Sequence, residues 1–260
     1  MILPPHRTKQ ANLIAMNLQA AFTALSIAQK EIDHIQYLYS DIPHPVFNCI
    51  IQAQSSTETI QSSIRAIFQD YKQNNIPHCW WVTEQFTPDN IREELLSSNY
   101  QKGPLYRGVH AELKKLNLTF ETNPKVHIKR IQEASEFDDW VRPIQEGFEF
   151  NDLVTNAFVS RYKKLHITDH RFISYIAYYD NQLAGSLTLF VNANVAGLYN
   201  GAVLTPFRRK GIMLALGKNA LLEAREKGLK DAVSQVGEGT YPLSINIGFK
   251  EYLGFQAFLS

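Results

Sequence analysis

What this 260-residue chain lacks narrows it first. No apolar run approaches the ~20 residues that a helix needs to cross a bilayer, which argues against a membrane protein. Two cysteines make no disulfide framework at this length; Cys49 and Cys79 each sit in an apolar, strand-like run and read as buried free thiols. Neither sign of charge is in excess. With 26 basic and 25 acidic side chains the formal charge is +1, too little to gather phosphate polymers, so nucleic acid is not an expected partner. The eight histidines are scattered, without a compact ligand set such as H-E-x-x-H, and no metal is expected. The opening MILPPHRTKQANL is followed by no apolar stretch of the secretory kind, which points to the cytoplasm.

What is present is an ordinary globular composition, 45% hydrophobic and 20% charged, enough for one large core or two compact halves. Apolar residues three and four apart predict a helix over 12–29. Then come a strand over 46–53, a helix carrying Ile60, Ile64, Ile67 and Phe68, a strand over 78–82, and a short helix that closes on Asn99-Tyr100. Polar residues and Pro124 make 116–125 a linker, dividing the chain into 1–120 and 125–260. The second part reads as a strand over 126–131 and two helices broken near Gly147. A hairpin about Asp180-Asn181-Gln182 follows, then a strand over 195–203, a helix running to Lys227 and stopped by Gly228, a strand over 231–236, and a last helix running into Gly254-Phe255. Both parts end on strand, helix, strand, helix. Phe47 to Tyr100 spans 53 steps and Tyr199 to Phe255 spans 56, which reads as a diverged duplication; two unrelated mixed segments are the alternative.

The chemistry concentrates in VLTPFRRKGIM, Val203 to Met213, between a strand and a helix. A helix start leaves backbone N–H groups unpaired with the positive end of the helix dipole behind them. Gly211 lets an anion approach that backbone, and Arg208, Arg209 and Lys210 add positive charge suited to a diphosphate or 3′-phosphate. The helix that follows is amphipathic, with Leu214, Ala215, Leu221 and Leu222 in one arc.

This segment resembles the pyrophosphate loop of the GNAT superfamily of N-acetyltransferases. There a hydrophobic strand end is followed five residues later by Arg/Gln-x-x-Gly-x-Gly/Ala; here Val203 is that strand end and Arg208-Arg209-Lys210-Gly211-Ile212-Met213 that loop, departing at Met213. The resemblance implies an α/β fold with a mixed sheet, in two GNAT-like halves. The amino-terminal half would be a reduced repeat, because its equivalent turn, SSTETIQSS, has neither glycine nor a basic residue.

The implied activity is transfer of an acetyl group from acetyl-CoA, as co-substrate and without a metal, to a small-molecule or peptide amine by direct attack. In the family the strand bearing Gly201, Ala202 and Val203 splays from the next one, the cofactor arm lies in the gap, and backbone groups polarise the thioester carbonyl. A tyrosine four residues before the glycine of the final Gly-Phe protonates the departing thiolate. Counting back from Gly254, that position is Lys250, and Tyr252 reaches it only if the last helical turn is irregular. Glu238, in Gly237-Glu238-Gly239, is the candidate base, and Tyr199 a candidate for positioning a water. A packing tyrosine and an exposed loop carboxylate are the plain alternatives for Tyr252 and Glu238. A CoA-binding protein without transferase activity is the alternative for the whole, a module of two degenerate repeats the third reading, and a homodimer stays open.

Overall fold

A computed structural model describes residues 9–51, 59–83 and 87–260. The chain forms two compact units. One comprises the residues up to Gly108 with Val236–Glu238 and Glu251–Ser260; the other comprises Val109–Gln235 and Gly239–Lys250. Among the described residues no helix is long and apolar enough to cross a membrane.

The first unit opens with α1 (Lys9–Leu25), which buries Ile14, Leu18, Ala21 and Leu25 on one helical stripe. The helix stops four residues short of Gln29, because the Ile27 N–H is taken by Tyr39 O and the chain enters a hairpin of β1 (Ala28–Ile32) and β2 (Ile35–Tyr39). Its two-residue turn, Asp33 and His34, has positive φ at both positions, as tight antiparallel hairpins require. Of the strand expected over 46–53, residues 52 and 53 lie outside the described residues, and the part before them is strand only in its second half. Pro45–Phe47 is a 3₁₀ turn, knitted by buried Asn48, which takes the Ser40 N–H and donates to Ile42 O and His44 O. Only β3 (Cys49–Ile50) then runs parallel to β4 (Cys79–Val82). Helices α2 (Ile60–Gln73) and α3 (Ile91–Ser97) supply Ile60, Ile64, Ile67, Tyr71, Ile91 and Leu95 to a core shared with Trp80. Both cysteines are buried and unbridged.

The strand β5 (Gln101–Glu112) passes from the first unit into the second, which continues with β6 (Val126–Arg130), α4 (Phe137–Gly147), α5 (Asp152–Thr168), β7 (Phe172–Tyr179) and β8 (Gln182–Asn192). β9 (Val195–Val203), α6 (Ile212–Glu226), β10 (Asp231–Val236) and α7 (Tyr241–Ile247) complete the order. The sheet order here is β10-β9-β8-β7-β6, antiparallel except for the parallel β9–β10 pair. Side chains alternate across it. Ala202 faces Gly147 of α4, whereas a side chain at Gly185 would meet Ile212 and Leu216 of α6. The buried arc of α6 is Ile212, Ala215, Leu216, Ala220, Leu221 and Ala224; Leu222, expected on it, is exposed and Glu223 is held by Tyr175 and Arg130.

The final helix expected to run into Gly254-Phe255 ends instead at Ile247. Gly248 takes a left-handed φ of 113° and the Phe249 N–H returns to Ser244 O, which terminates α7. Residues Lys250–Leu259 are a strand, β11, and it pairs antiparallel with β4, Gln256 opposite Val82 and Leu259 opposite Cys79. β11 therefore follows α7 of the second unit yet completes the first, ending where the Ser260 N–H meets His78 O. In the same manner β5 follows α3 of the first unit and ends in the second, where the Leu113 N–H meets Lys230 O and His110 Nε2 lies 2.8 Å from Asp231.

Candidate active site

The turn after β9 is built as its sequence suggests. The Leu204 N–H returns to Ala184 O, Thr205–Phe207 form a 3₁₀ turn, and the Thr205 N–H and hydroxyl both donate to Glu146 of α4. Those two bonds hold the Glu146 carboxyl below the usual carboxylate range. Arg209 (φ 62°) and Gly211 (φ 81°) are left-handed and curl the backbone into α6, whose first bond is Ala215 N–H to Gly211 O. The N–H groups of Gly211, Ile212, Met213 and Leu214 precede that bond and lie at the positive end of the helix. Space does not force a glycine here, since an added Cβ would meet only Asn123 at 3.8 Å; the backbone angle does.

The three basic side chains are exposed. Arg208 Nε reaches back to Val203 O at 3.3 Å, and Lys210 Nζ stands over the rings of Tyr179 and Phe207 at 4.7 and 5.3 Å. Asn123, in the stretch read as a linker, braces the loop by donating to Lys210 O. Met213 is turned onto the sheet, its thioether 3.2 Å from where a side chain on Gly201 would sit. The departure at Met213 is thus matched by the absence of a side chain at Gly201.

Pairing between β9 and β10 covers Asp231–Ser234 against Val195–Leu198 and goes no further, although β9 runs on to Val203. At the last paired position the Ser234 hydroxyl donates to Leu198 O. On its other side β9 carries a bulge: Ser186 opposes Ala202 and Thr188 opposes Tyr199, so Asn200 and Gly201 together face Leu187. Asn200 is left-handed, with φ 54°. Two parallel strands that part at this point, beside a helix start with unpaired N–H groups, offer both an edge for an extended, amide-bearing arm and a seat for its phosphates.

Beneath α4 and α5 the bulge meets neutral polar groups. Asn200 Nδ2 donates to Tyr162 Oη at 2.7 Å and to Thr188 Oγ1 at 3.3 Å, and Ser174 Oγ lies 3.2 Å from Thr188 Oγ1. Burial pushes the Tyr162 and Tyr199 hydroxyls up, so both stay protonated at neutral pH. None of Glu146, Tyr162, Thr188 and Asn200 was singled out from the sequence. Asn200-Gly201 was the available signal, a turn-type dipeptide inside a run that otherwise reads as strand.

Of the residues expected to move protons, two lie on an element of another kind than expected. Lys250 and Tyr252 are on β11, not on a helix, and two residues apart on a strand share one face, so the rotation that separates them on a helix does not apply. Helix α7 ends at Gly248-Phe249, and Ser244, four residues before that glycine, donates its hydroxyl to Thr240 O at 3.2 Å. Glu238 is exposed in the turn after β10.

Comparison with known proteins bears on the family and the fold. Residues 134–255 match the family model described as acetyltransferase (GNAT) family. No curated protein matches the chain by sequence. Among solved structures, a GCN5-related N-acetyltransferase from Kribbella flavida is similar at a TM-score of 0.72 and 12% identity, over 94% of this chain and 95% of that one. One from Sphaerobacter thermophilus is similar at 0.65 and 10% identity, over 87% and 75%. A tandem GNAT protein from the clavulanic acid biosynthesis pathway is similar at 0.59 and 12% identity, over 87% and 78%. Identities this low speak to fold alone, whereas the family model rests on the sequence that forms α4 to β11, and so residues 134–255 are a domain of the acetyltransferase (GNAT) family, a family of acyltransferases.

Proposed function

We propose that the chain transfers an acetyl group from acetyl-CoA to an amine by direct attack. One observation supports this above the others: the β9–β10 ladder ends at Leu198 and Ser234, just before the left-handed Gly211 opens α6. The residues fit the co-substrate. Backbone N–H groups of Gly211, Ile212, Met213 and Leu214 would take the diphosphate, with Arg208, Arg209 and Lys210 adding charge, and the backbone of Gly201, Ala202 and Val203 would bind the arm. Bound acetyl-CoA supplies an activated acyl thioester. The β9 backbone would face the acyl oxygen, where negative charge develops as the amine nitrogen bonds to the carbonyl carbon and the carbon–sulfur bond breaks. One proton leaves the nitrogen and one reaches the sulfur, both by way of solvent, since Ser244 stands where the family has its tyrosine. The acceptor is a small-molecule or peptide amine.

The amino-terminal half serves as a reduced repeat without a cofactor of its own. Its equivalent turn lies largely in residues 52–58, outside the described residues, and its sequence offers no glycine or basic residue.

Calorimetry with acetyl-CoA tests the site. Gly211→Val puts a β-branched residue at a left-handed angle, and we expect affinity to fall at least about tenfold. Circular dichroism should report an intact fold; unchanged affinity would remove this loop from the site. The same serine supports a second reading, CoA binding without transfer, and release of free thiol with a panel of amines separates the two.

A further inference from the structure

We propose that Asn200 is a positioning residue, tethered to Tyr162 so that the bulge of β9 presents its backbone to the acyl carbonyl; the proposal rests on the acetyl-CoA reading above. The bulge puts two residues, Asn200 and Gly201, opposite the single Leu187, which takes their backbone groups out of the regular ladder with β8. On the other side β10 has already stopped pairing, at Leu198. This short stretch of strand is therefore bound regularly on neither side, and something else must fix its direction.

The tether supplies that. A left-handed φ is uncommon for a residue with a side chain, and asparagine is among the few that accept it. Asn200 Nδ2 donates to Tyr162 Oη at 2.7 Å, at the short end of the range for this bond, and more weakly to Thr188 Oγ1 at 3.3 Å. The anchor is rigid. Tyr162 is 2% exposed and packed against Trp140 and Phe158, each ring centre 4.7 Å away, with Phe172 at 5.6 Å. Thr188 and Ser174, 0% and 3% exposed, extend the support into β8 and β7. An aromatic core formed by α4 and α5 thus sets the angle of a backbone segment on the strand beneath it.

Two variants separate the tether from general stability. Asn200→Gly keeps the left-handed angle and removes the amide, while Tyr162→Phe keeps the ring and removes the acceptor. Calorimetry with acetyl-CoA and with CoA reads the result, because only the first carries the acyl carbonyl. We expect the wild type to bind acetyl-CoA about tenfold more tightly than CoA, the worth of one good hydrogen bond. Each variant should bring the two ligands within about twofold, leave CoA affinity itself within about twofold, and cause no further loss when combined, as members of one unit do. Equal weakening for both ligands would mark a structural role only and overturn the proposal, as would an unchanged preference. A wild type that binds CoA with no preference for acetyl-CoA overturns the tether alone. A wild type that binds neither overturns the acetyl-CoA reading and the tether with it.

Discussion

The helix after β4 and the helix after β10 end alike. At Asn99 (φ 67°) and Gly248 (φ 113°) the chain turns left-handed, and the next residue, Tyr100 or Phe249, sends its N–H back to Leu95 O or Ser244 O at 3.1 Å in both cases. Each helix then gives way to a strand, β5 or β11, that finishes in the other unit. The helices that precede β4 and β10 begin from very different sequence. Residues 204–211 hold three basic side chains and a glycine, where 52–59 hold neither. Their strands differ too: β9 runs five residues past its last pairing with β10, while β3 has only two residues, both paired with β4. Helix ends are a matter of backbone satisfaction and are alike in both places, whereas the charge of the turns before α2 and α6 sets them apart.

The largest effect that would sharpen this contrast is on the first unit's core. Phe258, 1% exposed and opposite Trp80, packs there from the far end of the chain, and Phe258→Ala is expected to cost about 3–5 kcal/mol in denaturant unfolding. Acetyl-CoA affinity should stay within about twofold below the transition. A comparable loss of affinity would mean that the first unit takes part in the cofactor site.

Acid should also single out the first unit. His78 is stacked on Tyr71 with ring centres 4.2 Å apart, and its Nε2 lies 2.6 Å from Tyr100 Oη. Burial lowers its pKa from 6.5 to about 4. The unfolded chain therefore binds the proton first as pH falls, so stability is full above about 6.5 and declines toward 4, by up to about 3 kcal/mol. Urea midpoints across that range measure it. His78→Gln should flatten the profile, and a slope that survives the substitution would place the acid-sensitive group elsewhere.

The smallest effects are expected among the proton-transfer candidates. With solvent carrying both protons, Ser244→Ala, Lys250→Ala, Tyr252→Phe and Glu238→Gln should each leave kcat within about threefold for one identified amine. A loss of about 10² in any one would identify it as the acid or base and reinstate a protein group in that role.

Local chemistry made much of this legible. Asp180-Asn181 closes the expected hairpin, with φ of 47° and 64°, and Gly228 (φ 74°) stops α6 where expected. The turn from Val203 to Met213 was visible because its shape and charge, three adjacent basic residues and a left-handed glycine, are set by neighbours in sequence. Asn200, Tyr162 and Glu146 were not, since Tyr162 stands 38 residues from Asn200 and Glu146 stands 59 from Thr205. Nothing within either segment announces its partner.

The same division holds for the elements. By itself the sequence determined where helices and strands with strong internal periodicity lie, where glycine and asparagine turn the chain, and which turn before a helix carries three adjacent basic residues. Only the tertiary structure decided that α1 yields at Leu25 to the polar strand Ala28–Ile32, and that Lys250–Leu259 is a strand and not a helix. Both segments take their conformation from a ladder partner, β2 for the first and, some 170 residues away, β4 for the second. A helix satisfies its own N–H and C=O groups within a few residues, whereas a strand satisfies them on another strand, whose position the local sequence does not encode.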